Sequence, residues 1–225
     1  MQVTEAKVAT IRELIAGAHA RDRLDAKLDK FLHQKVRNLH AAIKLPDAEK
    51  VDRLNSFVTR YIAQVPDFLE AITEITREAG IYENMRPLLL IAGDYFLAPP
   101  DLVKTEMPYE ALLEEAYLAH RLLEEINDRF IGQCGIPLAP FDMTRANVLA
   151  HEVIGEPFAN ELDQAVLFST ELLLNNYSFS ETGFQHFINL HRNRGWSQEL
   201  QRWPCLTEDL AIVLNFGGDE PGVAH

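Results

Sequence analysis

Apolar residues recur every three or four positions along most of this chain, and that spacing constrains the fold more than any other feature of the sequence. An α-helix with this pattern presents one continuous apolar face. No alternating apolar–polar run typical of a strand is visible, and no repeat of about 20–50 residues occurs. The pattern therefore predicts an all-α bundle of about nine to eleven helices. The runs cover 3–19, 24–43, 47–62, 67–79, 86–97, 108–130, 143–154, 158–176 and 180–193.

Proline and glycine mark the predicted ends of these helices. Pro46 precedes Asp47, which is expected to cap the third helix, and Pro66-Asp67 is expected to end it and start the next. Gly80 is a suitable C-terminal stop, and Pro99-Pro100 closes the apolar run before it. No Pro-, Gly- or Ser-rich linker is long enough to divide the chain. We therefore expect a single helical domain over residues 1–225, with 217–225 as a flexible tail.

The charge of the chain limits its partners and its location. A formal net charge of -13 argues against nucleic-acid binding, which needs a basic surface, and against docking on anionic lipid. No stretch reaches about 18 uncharged apolar residues, so no membrane span is predicted. The amphipathic N-terminus is unlike a signal peptide, and two cysteines are too few for a disulfide framework. These features predict a cytoplasmic protein.

The segment from Tyr117 to Asp128 carries the most chemistry. Glu124, Glu125 and Asp128 follow an acid-acid-x-x-acid pattern, and helical spacing directs them roughly to one side. Clustered carboxylates repel one another, and Mg²⁺, which prefers oxygen ligands, would relieve that repulsion. The segment by itself is equally compatible with a solvated acidic face. His120 lies one turn earlier, where it either faces a ligand or pairs with Glu124.

Other chemical motifs are incomplete. His151-Glu152 begins like the zinc motif His-Glu-x-x-His, but the fifth position is Gly155. The paired Glu-x-x-His motifs of di-iron bundles are absent, as is a glycine-rich phosphate loop. These absences leave the acidic segment as the candidate site.

Read in order, four blocks over about 70 residues resemble the front half of the trans-isoprenyl (polyprenyl) diphosphate synthase family. Arg86-Pro87-Leu88-Leu89 resembles its Arg-Pro-Leu-Leu segment, and the Glu124–Asp128 acids resemble its first Asp-Asp-x-x-Asp metal motif. Gly135-Ile136-Pro137 and Asn147–Glu152 resemble the two blocks that follow. The resemblance implies an all-α bundle of the isoprenoid-synthase type.

The chain also departs from the family pattern. In the segment Tyr82–Pro87, the position of the family's diphosphate-binding lysine is Glu83. The family's arginine pair is replaced by Gln133-Cys134, and Arg86 alone remains of the cationic set. The second acidic motif is expected more than a hundred residues beyond the first, whereas the chain ends about 97 residues after Asp128. Chain elongation with three Mg²⁺ ions is therefore not expected, because such catalysis needs both acidic clusters.

Two functions follow from the resemblance. The first, which we favour, is a non-catalytic subunit or a module that binds an isoprenoid or another apolar small molecule. The second is an Mg²⁺-dependent prenyl-diphosphate enzyme with altered chemistry, using Glu124, Glu125 and Asp128 as metal ligands. The family pattern assigns ligand binding to Arg86, Tyr117, Ala119 and His120. A homo- or heterodimer is expected, with the long apolar helix at 158–176 near its interface.

Overall fold

The computed structural model describes residues 3–100, 103, 108–174, 182–194, 203 and 205–215, and this part of the chain is all-α. Two residue pairs form a minimal antiparallel ladder, in which Ile43 lies opposite Leu214 and Lys44 opposite Val213. The described elements are α1 (Val3–Asp25), α2 (Lys27–Val36), β1 (Ile43–Lys44), α3 (Lys50–Glu78), α4 (Tyr82–Leu97), α5 (Pro108–Cys134), α6 (Thr144–Ile154), α7 (Phe158–Leu174), α8 (Thr182–Arg194), α9 (Leu206–Asp209) and β2 (Val213–Leu214).

Helix α5 is the centre of the bundle. It packs against α1, α2, α3, α4, α6 and α7. Every residue from Leu112 to His120 is buried, so the helix is enclosed on all sides over more than two turns. A helix that is buried all round belongs in a core and cannot lie on a surface. Any group that α5 carries is therefore held by neighbours from several directions.

Helix α3 corrects one prediction. Pro66 was expected to separate two helices, but α3 runs without interruption from Lys50 to Glu78 with Pro66 inside it. Proline removes one helical hydrogen bond and clashes with the preceding turn, which costs about 3 kcal/mol in an isolated helix. The neighbours Val65, Phe68 and Leu69 are buried in the core. Their packing holds the helix together across the proline.

Some other helix boundaries fall close to their predicted positions. Gly80, with φ +74°, lies two residues after the end of α3 at Glu78, and α4 ends at Leu97 before Pro99. The predicted helix at 24–43 is wrong at its end, because α2 stops at Val36. Helix α5 continues four residues beyond its predicted end, to Cys134. The expected cap at Asp47 is wrong, because α3 begins after Glu49, whose φ is 63°. Residues 175–181 and the predicted tail at 217–225 lie outside the described residues.

None of the helices in the described ranges combines the length and the apolar character needed to cross a bilayer.

Two carboxyl groups lie inside the bundle on α5. Glu114 and Glu115 are each only 8% exposed. Burial, with added repulsion from Glu110, raises the pKa of Glu114 to about 7, although Lys35 opposes the shift. Burial and the neighbouring Glu114 raise the pKa of Glu115 to about 8. Lys35 donates to the backbone oxygen of Ile154 at 2.8 Å, so its charge is shared with the end of α6.

These carboxyls predict a stability that falls as the pH rises above neutrality. A carboxyl with a raised pKa in the folded state favours folding below its unfolded pKa, near 4.5, and this contribution is lost as the pH rises through 7 and 8. Between its unfolded and its folded pKa, each carboxyl lowers the free energy of unfolding by about 1.4 kcal/mol for each unit of pH. Urea denaturation between about pH 6.5 and pH 8 should therefore show a loss of on the order of 2 kcal/mol.

Glu115→Gln should remove more than half of this loss, because a neutral amide does not ionise. The control is Glu74→Gln on the exposed side of α3, which should leave the pH dependence unchanged. A profile of Glu115→Gln with the wild-type slope would contradict the prediction.

Candidate functional site

A polar cavity of about 360 Å³ opens between α5, α6 and α7. Its volume lies within the range of small-molecule sites, about 300–1,000 Å³. We call it the polar cavity throughout. The residues that line it are Tyr117, Arg121, Glu124, Thr144, Asn147, Val148, His151 and Asp163.

Glu124 is the most heavily hydrogen-bonded side chain of the polar cavity. Thr144 Oγ1 donates to Oε1 at 2.7 Å, and Asn147 Nδ2 donates to Oε2 at 2.6 Å. Arg121, one turn earlier on α5, donates to the same Oε2. The carboxylate side chain is only 12% exposed. Both oxygens therefore already accept hydrogen bonds from the protein, and the contacts fasten the start of α6 to α5.

Arg121 joins Glu124 to a second carboxylate, Asp163 on α7. Its Nε donates to Asp163 Oδ1 at 3.0 Å, while Nη1 donates to Glu124. Burial opposes the arginine charge, but the hydrogen bonds and negative charges of the two acids outweigh burial and raise its pKa. Tyr117 also donates to Asp163 Oδ1, at 2.8 Å, and burial followed by the charge of Asp163 raises the pKa of that phenol.

A chain of hydrogen bonds continues from Glu124 into the core. Asn147, which donates to Glu124, accepts from the hydroxyl of Tyr61 at 2.6 Å. The backbone oxygen of Tyr61 in turn accepts from His120 Nε2 at 2.7 Å. Since each contact fixes the next side chain, the position of Glu124 depends on α3 as well as on α5 and α6.

His151 and Asp163 approach each other on one side of the polar cavity. His151 Nε2 is 3.1 Å from Asn160 Oδ1 and 3.7 Å from Asp163 Oδ2. The first distance is a hydrogen bond and the second is too long for one. Oδ2 has no hydrogen bond among the described residues, whereas Oδ1 accepts two.

The three predicted metal ligands do not share one environment. Glu124 lines the polar cavity, Glu125 is 3.4 Å from the guanidinium of Arg129, and Asp128 is exposed. Burial, together with repulsion from Glu124 and Glu125, raises the pKa of Asp128. Within the described residues, no group of three or more His, Cys, Asp or Glu side chains is arranged to hold a metal ion. Their assignment as Mg²⁺ ligands stays a prediction.

The four predicted ligand-binding residues also lie in different parts of the molecule. Tyr117 lines the polar cavity, while Ala119 and His120 are fully buried and are not among its lining residues. Arg86 is exposed and lies 3.6 Å from Glu83. The suggested pairing of His120 with Glu124 is wrong. His120 Nε2 donates to the Tyr61 backbone oxygen, and its buried Nδ1 has no hydrogen-bond partner among the described residues. Burial lowers the pKa of His120 to about 4, so the ring is neutral.

Several residues of the polar cavity were not predicted from the sequence. Arg121 is three residues before Glu124, a spacing that permits an ion pair and was a usable signal. Asn147 is a buried amide between apolar neighbours on α6, which also indicates a partner. Asp163 carries no such signal, since it is one polar residue on a mixed helix. Its role depends on a contact between α5 and α7 that local spacing does not reveal.

A second cavity, of about 390 Å³, lies between α1, α3 and the start of α5. We call it the apolar pocket, because most of the surface that lines it is apolar. His19 and Tyr109 close one end with a contact of 2.6 Å between Nδ1 and the hydroxyl. It is lined by Arg12, Ile15, Ala16, His19, Thr59, Ile62, Ala63, Pro66, Asp67 and Tyr109.

The partly buried position of Arg121, whose side chain is 21% exposed, predicts a loss of stability when its charge is removed. Arg121→Leu leaves Glu124 and Asp163 without their cation, and the loss should lie between that of an exposed ion pair, about 0–1 kcal/mol, and that of a fully buried one, about 3–5 kcal/mol. Arg12 is the matched control, because it also bridges two carboxylates, Asp67 and Glu70, but at the surface. Arg12→Leu should cost about 0–1 kcal/mol. Equal losses for the two variants in urea denaturation would contradict the structural role of Arg121.

Comparison of the chain with protein-family models, with curated proteins and with solved structures finds no match. The chemistry of these two cavities and the resemblance of the sequence blocks therefore bear on the function of the chain.

Proposed function

We propose that this chain is a non-catalytic protein of the isoprenoid-synthase type, acting as a subunit or as a module that binds an apolar small molecule. The observation that supports this proposal is that the protein itself donates hydrogen bonds to both carboxylate oxygens of Glu124. Its two oxygens accept from Arg121, Thr144 and Asn147, so the first acid of the motif acts as a structural anchor. A carboxylate engaged in this way has about one of its four acceptor positions left, so most of its capacity is used within the protein.

The charge of the polar cavity also disfavours a diphosphate. Among the described lining residues, Arg121 is the one permanent cation, and it is shared between Glu124 and Asp163. A diphosphate would bring further negative charge into a site that already has two carboxylates. One observation favours the Mg²⁺-dependent alternative: the pKa of Asp128 is raised partly by Glu124 and Glu125, a repulsion that a cation would relieve.

The apolar pocket is the better place for an isoprenoid. Ile15, Ile62 and Pro66 supply an aliphatic wall, and burying such surface against a prenyl chain is favourable by about 25 cal/mol per Å². The polar groups at its ends are already paired: His19 with Tyr109, and Arg12 with Asp67. This arrangement suits a neutral prenyl alcohol better than a charged diphosphate.

Three measurements test the proposed function together. We expect no Mg²⁺-dependent release of pyrophosphate from geranyl, farnesyl or geranylgeranyl diphosphate. In calorimetry, Mg²⁺ should give no heat with the protein alone, and with pyrophosphate present it should give no heat beyond that of the same titration without protein. We expect farnesol to bind, and Ala16→Trp to weaken it at least tenfold, because the indole would fill the pocket. Ala20→Trp, at an exposed position of α1 that does not line the pocket, is the control.

The outcomes separate the alternatives. Pyrophosphate release that disappears in Glu124→Gln would establish the enzyme in place of the binding protein. Farnesol binding that survives in Ala16→Trp, or no binding at all, would reject the apolar pocket as the ligand site.

We also propose that the chain forms a dimer through α7. Phe168 and Leu172 are 65% and 59% exposed and lie one turn apart, beside the partly exposed Leu167. Clustered apolar side chains of this size are typical of interfaces. Light scattering should give a dimer for the wild type and a monomer for Phe168→Glu, while Ala20→Glu, which adds the same charge at an exposed position of α1, should stay dimeric. A monomeric wild type would reject this proposal.

A further inference from the structure

The hydrogen bonds of the polar cavity leave one carboxylate oxygen uncommitted. Asp163 Oδ1 accepts from Tyr117 and Arg121, while Oδ2 has no donor within hydrogen-bond distance in the described part of the chain. His151 Nε2 lies 3.7 Å from Oδ2, which is too far for a hydrogen bond. The Asp163 side chain is 25% exposed and lines the cavity. Oδ2 is thus an acceptor available to a bound molecule.

The donors around it are largely occupied. Thr144 and Asn147 donate to Glu124, Tyr117 donates to Asp163, and Arg121 donates to both acids. With one arginine against two carboxylates, the described lining residues carry a formal charge of −1 when His151 is neutral. A site with excess negative charge and a free acceptor favours a cation with N–H groups.

We propose that the polar cavity binds a small organic molecule through a primary ammonium group, with Asp163 as the counter-ion. An ammonium offers three donors and a positive charge, which match the free Oδ2 and the charge of the cavity. The ring of Tyr117 lies in the same wall, and aromatic rings attract cations. The volume, about 360 Å³, has room for an alkyl chain of several carbons beside the open edge formed by Val148.

A metal ion fits this position less well. Asp163 and His151 are the two groups that converge here, and the described residues provide no set of three or more metal-ligating side chains. Glu124 already accepts from three donors. An organic ammonium needs only one free carboxylate oxygen, which Asp163 Oδ2 provides. This inference concerns a cavity different from the apolar pocket and does not rest on the proposed function.

Titration by two-dimensional ¹H–¹⁵N NMR tests the ammonium site with three probes of equal size: n-butylamine, butan-1-ol and sodium butanoate. Butylamine should shift the amides of α5, α6 and α7 around the polar cavity in a saturable way. Butanol and butanoate should bind at least tenfold more weakly, because they lack the positive charge. Asp163→Asn should weaken butylamine at least tenfold, whereas Glu161→Gln, an exposed acid on the same helix, should leave it within twofold.

A second variant avoids any disturbance of the Arg121 network. Val148→Lys places an ammonium of the protein itself beside the cavity from an exposed position, and it should block butylamine, while the neutral Val148→Met should not. Equal affinities for amine and alcohol, binding that survives both Asp163→Asn and Val148→Lys, or shifts that map elsewhere would overturn the proposal. Shifts of the same amides by MgCl₂ alone, without an effect of butylamine, would show a metal site and overturn it too.

Discussion

The guanidinium of Arg121 holds three helices in register. It is the common partner of Glu124, which α6 also contacts, and of Asp163 on α7. A buried ion pair is not strongly stabilising in itself, because two charges must leave water. The pair matters because breaking it is costly. If Glu124 or Asp163 moves away, a partly buried charge loses its partner. The position of α7 against α5 is therefore set by charge as well as by apolar packing, and the polar cavity is the space left around this pair.

The same hydrogen bonds decide what the polar cavity can recognise. Glu124 has two oxygens and three protein donors, so it is part of the framework. Asp163 accepts two hydrogen bonds on Oδ1 and none on Oδ2 from the described part of the chain, so it retains capacity for a ligand. Two carboxylates within one cavity thus have different roles, and the difference arises from neighbours on α6. Acid spacing along α5 alone gives no information on that difference.

Much of the fold is readable from the sequence, because helical periodicity is local. The apolar spacing predicts the helices, and Gly80 and Pro99 mark ends that agree with the structure. Pro66 shows where local signals fail: the lost hydrogen bond is offset by core packing on both sides of it. The candidate site was only partly predictable, because it too depends on contacts between helices that local sequence signals do not show. The motif identifies Tyr117 and Glu124. Asp163 joins the site only because α7 packs against α5, and it lies 46 residues from Tyr117 and 42 residues from Arg121 in the sequence.

The arrangement also defines what a metal-dependent activity would require. Freeing Glu124 for a cation means breaking its contacts with Thr144 and Asn147, and Asn147 is itself held by Tyr61 in the core. Arg121 would then face Asp163 alone, next to the incoming cation. Each of these changes leaves a polar group without a hydrogen-bond partner in a site with little exposure. The free-energy cost of each unpaired group is about 1–3 kcal/mol. A ligand that uses only Asp163 Oδ2 needs none of them. The energetically simplest use of this cavity is therefore recognition through the free oxygen, with the rest of the network left intact.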